Sequence, residues 1–404
     1  MRGDFIVPAQ NPRLWTYSLP AALLLLAPFN ILASLGMDIY LPIVPAMPGI
    51  LATTPEVVQL TLTLYMIMLG VGQILFGPLS DRFGRRPILF GGALAFAATS
   101  FALATTTSAW LFVLLRLVQA TGAAAMLVAV FATVRDVYAE RPESAVIYSL
   151  LNAMLAFVPA LGPIAGALIA SALGWRAIFL ALGIPAFIML VFVLPKWHET
   201  RQIRTQTSRA GFGTVLRSPN FWTYTLAFGT AMGSFFVFFS TAPRVLIDRA
   251  SFSELGFSFA FATVALSMIA TTRFAKSFVA RWGVPGSVLR GMLVLLLSAG
   301  LLGLGEIFLP PSFWSFILPM WLAAVGIVFT TAVTANGALQ EFSEMAGTAV
   351  ALHFCVQSLI VGVIGTGVVI GLGGDTAWPL TAYTAGMAAF TLASLFWLTS
   401  RQRR

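Results

Sequence analysis

Charge is the property this chain has least of. Only 9% of its 404 residues are Asp, Glu, Lys or Arg, whereas a soluble protein carries about 25%. Hydrophobic residues make up 59% of the chain, and the mean hydropathy is +0.92. Because so few charges cannot cover a water-facing surface, the composition excludes a soluble globular protein and indicates an integral membrane protein.

Cysteine and histidine are also scarce. The single Cys355 excludes an internal disulfide, and the only histidines are His198 and His353. The patterns H-E-x-x-H, G-x-S-x-G and G-x-x-x-x-G-K-[ST], typical of zinc proteases, serine hydrolases and nucleotide-binding loops, do not occur. A receptor or enzyme would need such a site or a sizeable soluble domain. We therefore expect no enzyme, no metal and no cofactor.

Twelve stretches are apolar and long enough to cross a bilayer, which takes about 20 residues. They lie near 17–37, 55–77, 87–105, 109–132, 144–171, 175–195, 220–243, 253–273, 286–308, 312–336, 346–371 and 377–399. One long polar connection separates the first six from the last six. The sequence thus predicts an all-α membrane protein with three parts: a first unit at 1–195, a cytoplasmic linker at 196–219 with a short surface helix at 212–216, and a second unit at 220–404.

The basic residues predict the orientation of these spans. With both termini in the cytoplasm, 19 of the 23 Lys and Arg residues fall on the cytoplasmic side, as the positive-inside rule requires. The exceptions are Arg176, Arg244 and Arg249 outside and Arg116 within a span. The net charge of +9 therefore reflects orientation in a lipid bilayer, and we expect no nucleic-acid partner.

One charged segment lies between the second and third spans. It reads G-P-L-S-D-R-F-G-R-R, and its charges cannot sit in hydrocarbon, which predicts a tight cytoplasmic loop over 77–86. Its glycines would allow close backbone approach and positive φ. The segment resembles the G-x-x-x-D-R-x-G-R-R signature of the major facilitator superfamily, matched at Gly77, Asp81, Arg82, Gly84, Arg85 and Arg86.

This resemblance implies a fold of two pseudo-symmetric six-helix bundles with both termini cytoplasmic. It also implies that the segment acts as a latch between the bundles; an ordinary basic loop is the alternative. A second motif, on the fourth span, is similar to the superfamily's R-x-x-Q-G-x-G at Arg116, Gln119 and Gly122, with Ala120 in place of its first Gly.

A third motif lies on the fifth span. Gly162, Pro163 and Gly166 allow close helix packing and resemble the antiporter motif G-x-x-x-G-P-x-x-G-G. Val158 and Ala167 replace the first and last Gly of that motif. The resemblance implies an antiporter rather than another kind of superfamily member.

Ionisable side chains inside a span are candidates for transport chemistry. Asp38, toward the outer end of the first span, is the best candidate for a proton carrier, because a low-dielectric cavity favours a protonated carboxyl. A solvated helix end is the alternative. Arg116 needs an acceptor, which could be a carboxylate, helix carbonyls, water or substrate. A purely structural buried charge is its alternative.

Other polar and aromatic side chains could complete a drug site. Asn30 could hydrogen-bond a polar drug or a neighbouring helix, and Gln59 could line the cavity. In the F-F-V-F-F run, one or two rings could stack on an aromatic ligand, although packing in the core or against lipid is the more ordinary role. His353 is expected to bond a neighbouring helix. The predicted substrate-binding residues are Asn30, Asp38, Gln59, Arg116, Phe235 and Phe239.

Several longer blocks of sequence resemble one particular group within the superfamily. They include M-D-I-Y-L-P-I-V-P, F-A-T-V-R-D-V-Y-A and F-F-V-F-F-S-T-A-P-R, and together they resemble the chloramphenicol/florfenicol exporters of the twelve-span drug:proton antiporter group. This implies proton-driven efflux of phenicol drugs by alternating access across a bacterial inner membrane, by a chain expected to be a monomer. A facilitator or importer of a small metabolite, or a broader multidrug exporter, is the alternative.

One position departs from those exporters. They typically read P-F-D in the first span, whereas this chain reads P-F-N at Asn30. An Asn cannot titrate. Either Asp38 alone couples protons in this chain, or its transport is altered.

Overall fold

The structure is a computed structural model that describes residues 15, 17–138, 143–201, 212–342 and 345–402. All regular structure in these ranges is helical, and twelve segments are long and apolar enough to cross a membrane. The spanning helices are α1 Leu19–Asp38, α2 Pro55–Phe83, α3 Arg85–Thr105, α4 Ala109–Tyr138, α5 Glu143–Leu173, α6 Arg176–Val193, α7 Pro219–Pro243, α8 Glu254–Thr272, α9 Ala275–Phe308, α10 Leu318–Leu339, α11 Ala346–Leu359 with its continuations Ile360–Gly365 and Thr366–Leu372, and α12 Trp378–Gln402.

These helices confirm the predicted all-α membrane fold with twelve spans. Helices α1–α6 form the first bundle and α7–α12 the second. The short helix expected at 212–216 is present as Phe212–Leu216. Residues 202–211 of the predicted linker lie outside the described residues.

The connection between α2 and α3 is shorter than predicted. The expected loop over 77–86 is wrong in extent, because α2 continues to Phe83 and α3 begins at Arg85. Only Gly84, with φ 107°, interrupts the two helices. Gly77 is helical and a Cβ there would meet no atom within 4 Å, so Gly84 alone uses the conformational freedom of glycine.

Helix α9 also begins earlier than predicted. It starts at Ala275 rather than near 286, and Gly283, with φ 65°, divides it at a kink. Residues 275–282 therefore form a separate helical segment before the part of α9 that spans the bilayer. Charged side chains at 276 and 281 made this segment look like a loop, although a helix outside hydrocarbon tolerates them.

Each bundle contains a helix crossing built on paired glycines. In the first bundle, a Cβ on Gly122 would lie 2.5 Å from the Gly92 carbonyl oxygen, where α3 crosses α4. In the second, Cβ atoms on Gly291 and Gly326 would each lie 2.8 Å from the other's carbonyl oxygen, where α9 crosses α10. Small residues allow such backbone approach between membrane helices. The shared crossing is one expression of the pseudo-symmetry between the bundles.

The two bundles meet along α2 with α11 and along α5 with α8. Three hydrogen bonds cross between them within the described ranges: Gln59 to Ser240, Thr63 to Thr366, and Ser258 to the Pro163 carbonyl. Small side chains bring the helices close, since a Cβ on Gly70 would overlap Ser358 and one on Gly362 would overlap Ile67. All three bonds lie toward the end of the bundles that holds Asp38. We call this region the outer seam, after the orientation predicted from the Lys and Arg residues.

An alanine at position 92 should destabilise the first bundle. Its Cβ would lie 2.7 Å from the Ala125 Cβ and 2.8 Å from the Gly122 carbonyl oxygen, and overpacking of this kind costs about 1–3 kcal/mol. Gly91→Ala is the matched control, because a Cβ at Gly91 meets no atom within 4 Å. In thermal unfolding of the purified protein, we expect Gly92→Ala to melt below the wild type and Gly91→Ala to melt at or slightly above it, because Ala favours a helix interior more than Gly does. Equal melting temperatures for the two variants would contradict the close crossing.

Candidate functional site

A single positive charge lies at the centre of the first bundle. Arg116 of α4 is fully buried, and its Nη1 donates to the Gly36 carbonyl oxygen and to Gln119 Oε1, both at 2.7 Å. Its guanidinium carbon lies 5.0 Å from the Tyr40 ring centre and 4.6 Å from the Tyr65 ring centre. Two hydrogen bonds and two aromatic faces therefore surround this charge in place of a carboxylate.

The hydrogen-bond network around Arg116 reaches four helices. Gln119 Nε2 donates to Ser100 Oγ on α3 at 2.8 Å, and the Tyr65 hydroxyl of α2 donates to the Ala33 carbonyl oxygen of α1 at 2.7 Å. Gly36 is required at its position on α1, since a Cβ there would lie 2.5 Å from the Tyr65 hydroxyl oxygen. The network thus holds α1 to α4 in one arrangement.

Two nitrogen atoms of the Arg116 guanidinium could donate further hydrogen bonds. Arg116 Nε and Nη2 have no hydrogen-bond partner among the residues that the structure describes. No acidic side chain in those ranges forms an ion pair with Arg116. A buried donor without an acceptor costs about 1–3 kcal/mol, so an oxygen that reached these atoms would be bound favourably. Of the acceptors considered from the sequence, the structure supplies a helix carbonyl together with a neighbouring amide.

Asp38 lies at the last position of α1 and is nevertheless buried, at 7% exposure. No hydrogen bond or ion pair to its carboxylate is present in the described part of the chain. The antiporter motif packs directly against it: a Cβ on Gly162 would lie 2.9 Å from the Asp38 Cβ, and one on Gly166 would overlap the Ile39 carbonyl oxygen. Helix α5 therefore determines where the carboxyl-bearing end of α1 sits.

Asn30 joins two helices. It is fully buried, and its Nδ2 donates to the Leu151 carbonyl oxygen of α5 at 3.1 Å. Its Oδ1 has no partner among the described residues. No hydrogen bond in those ranges connects it with Arg116 or Asp38, so these three predicted residues occupy separate positions along the interior of the first bundle.

The other predicted binding residues lie on the second bundle or on the outer seam. Gln59 Nε2 donates to Ser240 Oγ across the seam at 3.0 Å. The rings of Phe235 and Phe239 lie 6.0 and 6.1 Å from that of Phe261 on α8, in an aromatic cluster where Phe235 is partly exposed and Phe239 is buried. His353 bonds Thr225 of α7 at 2.8 Å, as expected for a contact between helices.

A charge cluster lies at the other end of the first bundle, where α2 meets α3. Arg85 Nη1 contacts Asp81 at 2.6 Å and Arg85 Nε contacts Asp136 of α4 at 2.6 Å. Arg135 lies 3.8 Å from Asp81 and 3.6 Å from Asp136. We call these four residues the latch cluster. The sequence pattern identified two of them, whereas the two from the end of α4 were missed, although the R-D pair there was a signal.

Glu199 binds the N-terminus of α3 at the same junction between α2 and α3. Its carboxylate accepts from the backbone N–H groups of Arg85 at 2.9 Å and Arg86 at 3.1 Å, which are the first residues of α3. Arg201 in turn donates to the Arg82 carbonyl oxygen. A carboxylate at a helix N-terminus satisfies otherwise free N–H groups. Sequence reasoning missed Glu199, although it is the only acid between positions 196 and 219.

A family model described as the Major Facilitator Superfamily matches residues 26–366. The chain is 49% identical to a chloramphenicol resistance protein of Pseudomonas aeruginosa, covering 94% of this chain and 90% of that protein. It is 27% identical to a bicyclomycin resistance protein homolog of Haemophilus influenzae, covering 94% and 96% respectively. The chain therefore belongs to the Major Facilitator Superfamily, as the loop and helix motifs indicated.

Solved structures share this fold. A D-xylose–proton symporter superposes with a TM-score of 0.71 at 17% identity, covering 93% of this chain and 97% of that one. A peptide transporter POT in complex with sulfate superposes with a TM-score of 0.77 at 14% identity, covering 95% and 94%. These likenesses confirm the arrangement of twelve spans as two six-helix bundles.

The latch cluster offers a comparison of two carboxylates that contact the same arginine at the same distance. The Asp136 side chain is 8% exposed and that of Asp81 is 57% exposed. Removing one partner of a buried pair costs about 3 kcal/mol, whereas an exposed pair contributes about 1 kcal/mol or less. We therefore expect Asp136→Asn to lower the melting temperature of the purified protein clearly and Asp81→Asn to lower it little. A larger effect of Asp81→Asn would contradict this account of the cluster.

Proposed function

We propose that this chain is a proton-coupled antiporter that exports phenicol antibiotics from the bacterial cytoplasm by alternating access. The observation that carries the proposal is the 49% identity with a chloramphenicol resistance protein over 94% of the chain. The antiporter motif at Gly162, Pro163 and Gly166 supports exchange rather than facilitated uptake. The chain would act in the inner membrane, with both termini in the cytoplasm, as the distribution of Lys and Arg favours.

Asp38 is the proposed proton carrier. Its carboxyl is buried and forms no hydrogen bond or ion pair in the described ranges, so no fixed partner holds it in one protonation state. Because Gly162 and Gly166 pack against Asp38 and Ile39, a movement of α5 would change the surroundings of the carboxyl directly.

The proposed drug site lies between the bundles, beside the polar interior of the first. Phenicols are neutral molecules with an aromatic ring, hydroxyls and an amide, so their recognition needs hydrogen bonds and an apolar surface rather than an ion pair. The open donors of Arg116, the unpartnered Oδ1 of Asn30 and the partly exposed ring of Phe235 supply such groups. Gln59 reaches the same region only if its bond across the outer seam opens.

The arrangement of the bundles supports alternating access. In the described ranges, the hydrogen bonds between the bundles are all in the outer seam, and the Arg85 side chain of the latch cluster bonds to Asp81 and Asp136 of its own bundle. With the proposed orientation, this is a state closed toward the outside. The role of 77–86 as a latch to the second bundle would then belong to the opposite state.

Asp38→Asn should abolish phenicol resistance in a sensitive bacterium that expresses the chain, because the amide cannot carry a proton. Glu56→Gln is the control, since Glu56 is an exposed acid at the same end of the first bundle. We expect Glu56→Gln to keep the wild-type inhibitory concentration and Asp38→Asn to fall to that of cells without the transporter, at equal expression. Resistance retained by Asp38→Asn would remove Asp38 as the carrier.

The Asn30→Asp form belongs in the same assay. We expect the chain with Asn30 to confer resistance by itself. If only Asn30→Asp did so, a carboxyl at position 30 would carry essential chemistry and coupling by Asp38 alone would be wrong. If no form conferred resistance, the phenicol assignment would fail.

Gly166→Ala should reduce resistance well below that of the wild type. The new Cβ would overlap the Ile39 carbonyl oxygen and displace the end of α1 that carries Asp38. Gly91→Ala is again the control, because its Cβ enters open space. Inhibitory concentrations measured at matched membrane levels provide the test, and unchanged resistance in Gly166→Ala would argue against α5 as the element that positions Asp38.

A further inference from the structure

A groove opens on the second bundle away from the outer seam. Its volume is about 470 Å³, and it lies between α8 and the first segment of α9, with α10 as its floor. The lining includes Thr271, Phe274, Phe278, Arg281, Trp282 and Phe329. We call it the α8–α9 groove.

The walls of this groove are largely aromatic. The Phe278 ring lies 5.7 Å from the Trp282 ring and 4.7 Å from the Phe329 ring, and the last two are 5.1 Å apart. Phe274 stands at the opening and is 67% exposed. A surface of this kind binds an apolar chain or ring.

The edge of the groove carries uncompensated positive charge. The sequence contains no acid between Glu254 and Glu306, although it contains Arg273, Lys276, Arg281 and Arg290 in that interval. All four of these cations are exposed and form no ion pair within the described ranges, and the Arg290 guanidinium carbon lies 4.8 Å from the centre of the Trp282 ring. In the pseudo-symmetric corner of the first bundle, by contrast, two carboxylates contact Arg85.

The groove lies where headgroups meet hydrocarbon. Six spans, α3 to α8, lie between the α2–α3 connection and the α8–α9 connection. Because six is an even number, both connections lie on the same side of the membrane. The segment 275–282 precedes the kink at Gly283 and presents basic side chains together with Phe278 and Trp282. Basic residues beside aromatic ones are typical of helical segments that lie in the interface of a membrane.

We propose that the α8–α9 groove binds an anionic phospholipid of the surrounding leaflet. The headgroup phosphate lies beside Arg281, which lines the groove, and Arg290, which stacks on the lining Trp282, and an acyl chain lies along Phe274 and Phe278. The positive charge at the edge of the groove favours an anionic headgroup. The apolar aromatic walls favour contact with an acyl chain. A soluble anion would meet the charges but leave those walls exposed. This binding is independent of the transported substrate.

The test is native mass spectrometry of the full-length protein in detergent, titrated with phosphatidylglycerol or with phosphatidylcholine of the same acyl chains. We expect the wild type to bind phosphatidylglycerol at least about tenfold more tightly. One cation near a membrane surface is worth about a fivefold change in affinity. The double variant Arg281→Gln/Arg290→Gln should therefore lose most of the preference. Both side chains are exposed, so folding is expected to be unaffected, and the melting temperature verifies it.

The matched control is Arg217→Gln/Arg401→Gln, which removes two exposed cations from the same side of the membrane but away from the groove. It should keep the wild-type preference. Glycerol phosphate, added as a competitor, should not displace the lipid. Wild-type binding by Arg281→Gln/Arg290→Gln would overturn the proposal, as would an equal loss in the control. Displacement by glycerol phosphate would indicate a site for soluble anions instead.

Discussion

The first bundle depends on how one guanidinium is accommodated away from water. A charge in the middle of a membrane protein must be surrounded by groups that replace its hydration. For Arg116 these groups come from four neighbours, namely the Gly36 carbonyl of α1, the Gln119 amide of its own helix α4, and the rings of Tyr40 and Tyr65. Because each of them is needed at a specific distance, the charge fixes how α1, α2 and α4 approach one another, and Ser100 brings α3 into the same arrangement.

The two bundles are alike in how their helices pack but differ in how their charged side chains are paired. Paired glycines bring α3 against α4 and α9 against α10 in the same way, since close approach is what stabilises helices in lipid. At the corresponding loops, however, Arg85 is held by carboxylates from its own bundle, whereas the cations between α8 and α9 face outward. The charged side chains at the α2–α3 connection therefore bond within the protein. Those at the α8–α9 connection face the surroundings of the protein.

The sequence was sufficient for the number of spans but not for all their ends. Hydropathy reports where hydrocarbon ends, whereas a helix continues until its backbone is interrupted, which occurs at Gly84 and Gly283 rather than at the nearest charge. The placement of Arg116 and Asp38 in the interior followed from their isolation in apolar runs. Their partners could not be predicted, because a carbonyl such as that of Gly36 leaves no mark in the sequence. The contacts of Asp136 and Glu199 depend on which helix ends meet in space.

The outer seam is closed by neutral groups. The Thr63 and Thr366 hydroxyls meet at 2.6 Å, and Gln59 bonds Ser240, with no ion pair between the bundles in the described ranges. Separating such groups exchanges one neutral hydrogen bond for another with water, at a net cost of about 1 kcal/mol each. Opening the outer seam therefore requires the separation of neutral hydrogen bonds and of closely packed helices, and of no ion pair in the described ranges. In the proposed antiport, a membrane potential of 100 mV would supply about 2.3 kcal/mol per charge, which is of the same order as the cost of separating these hydrogen bonds.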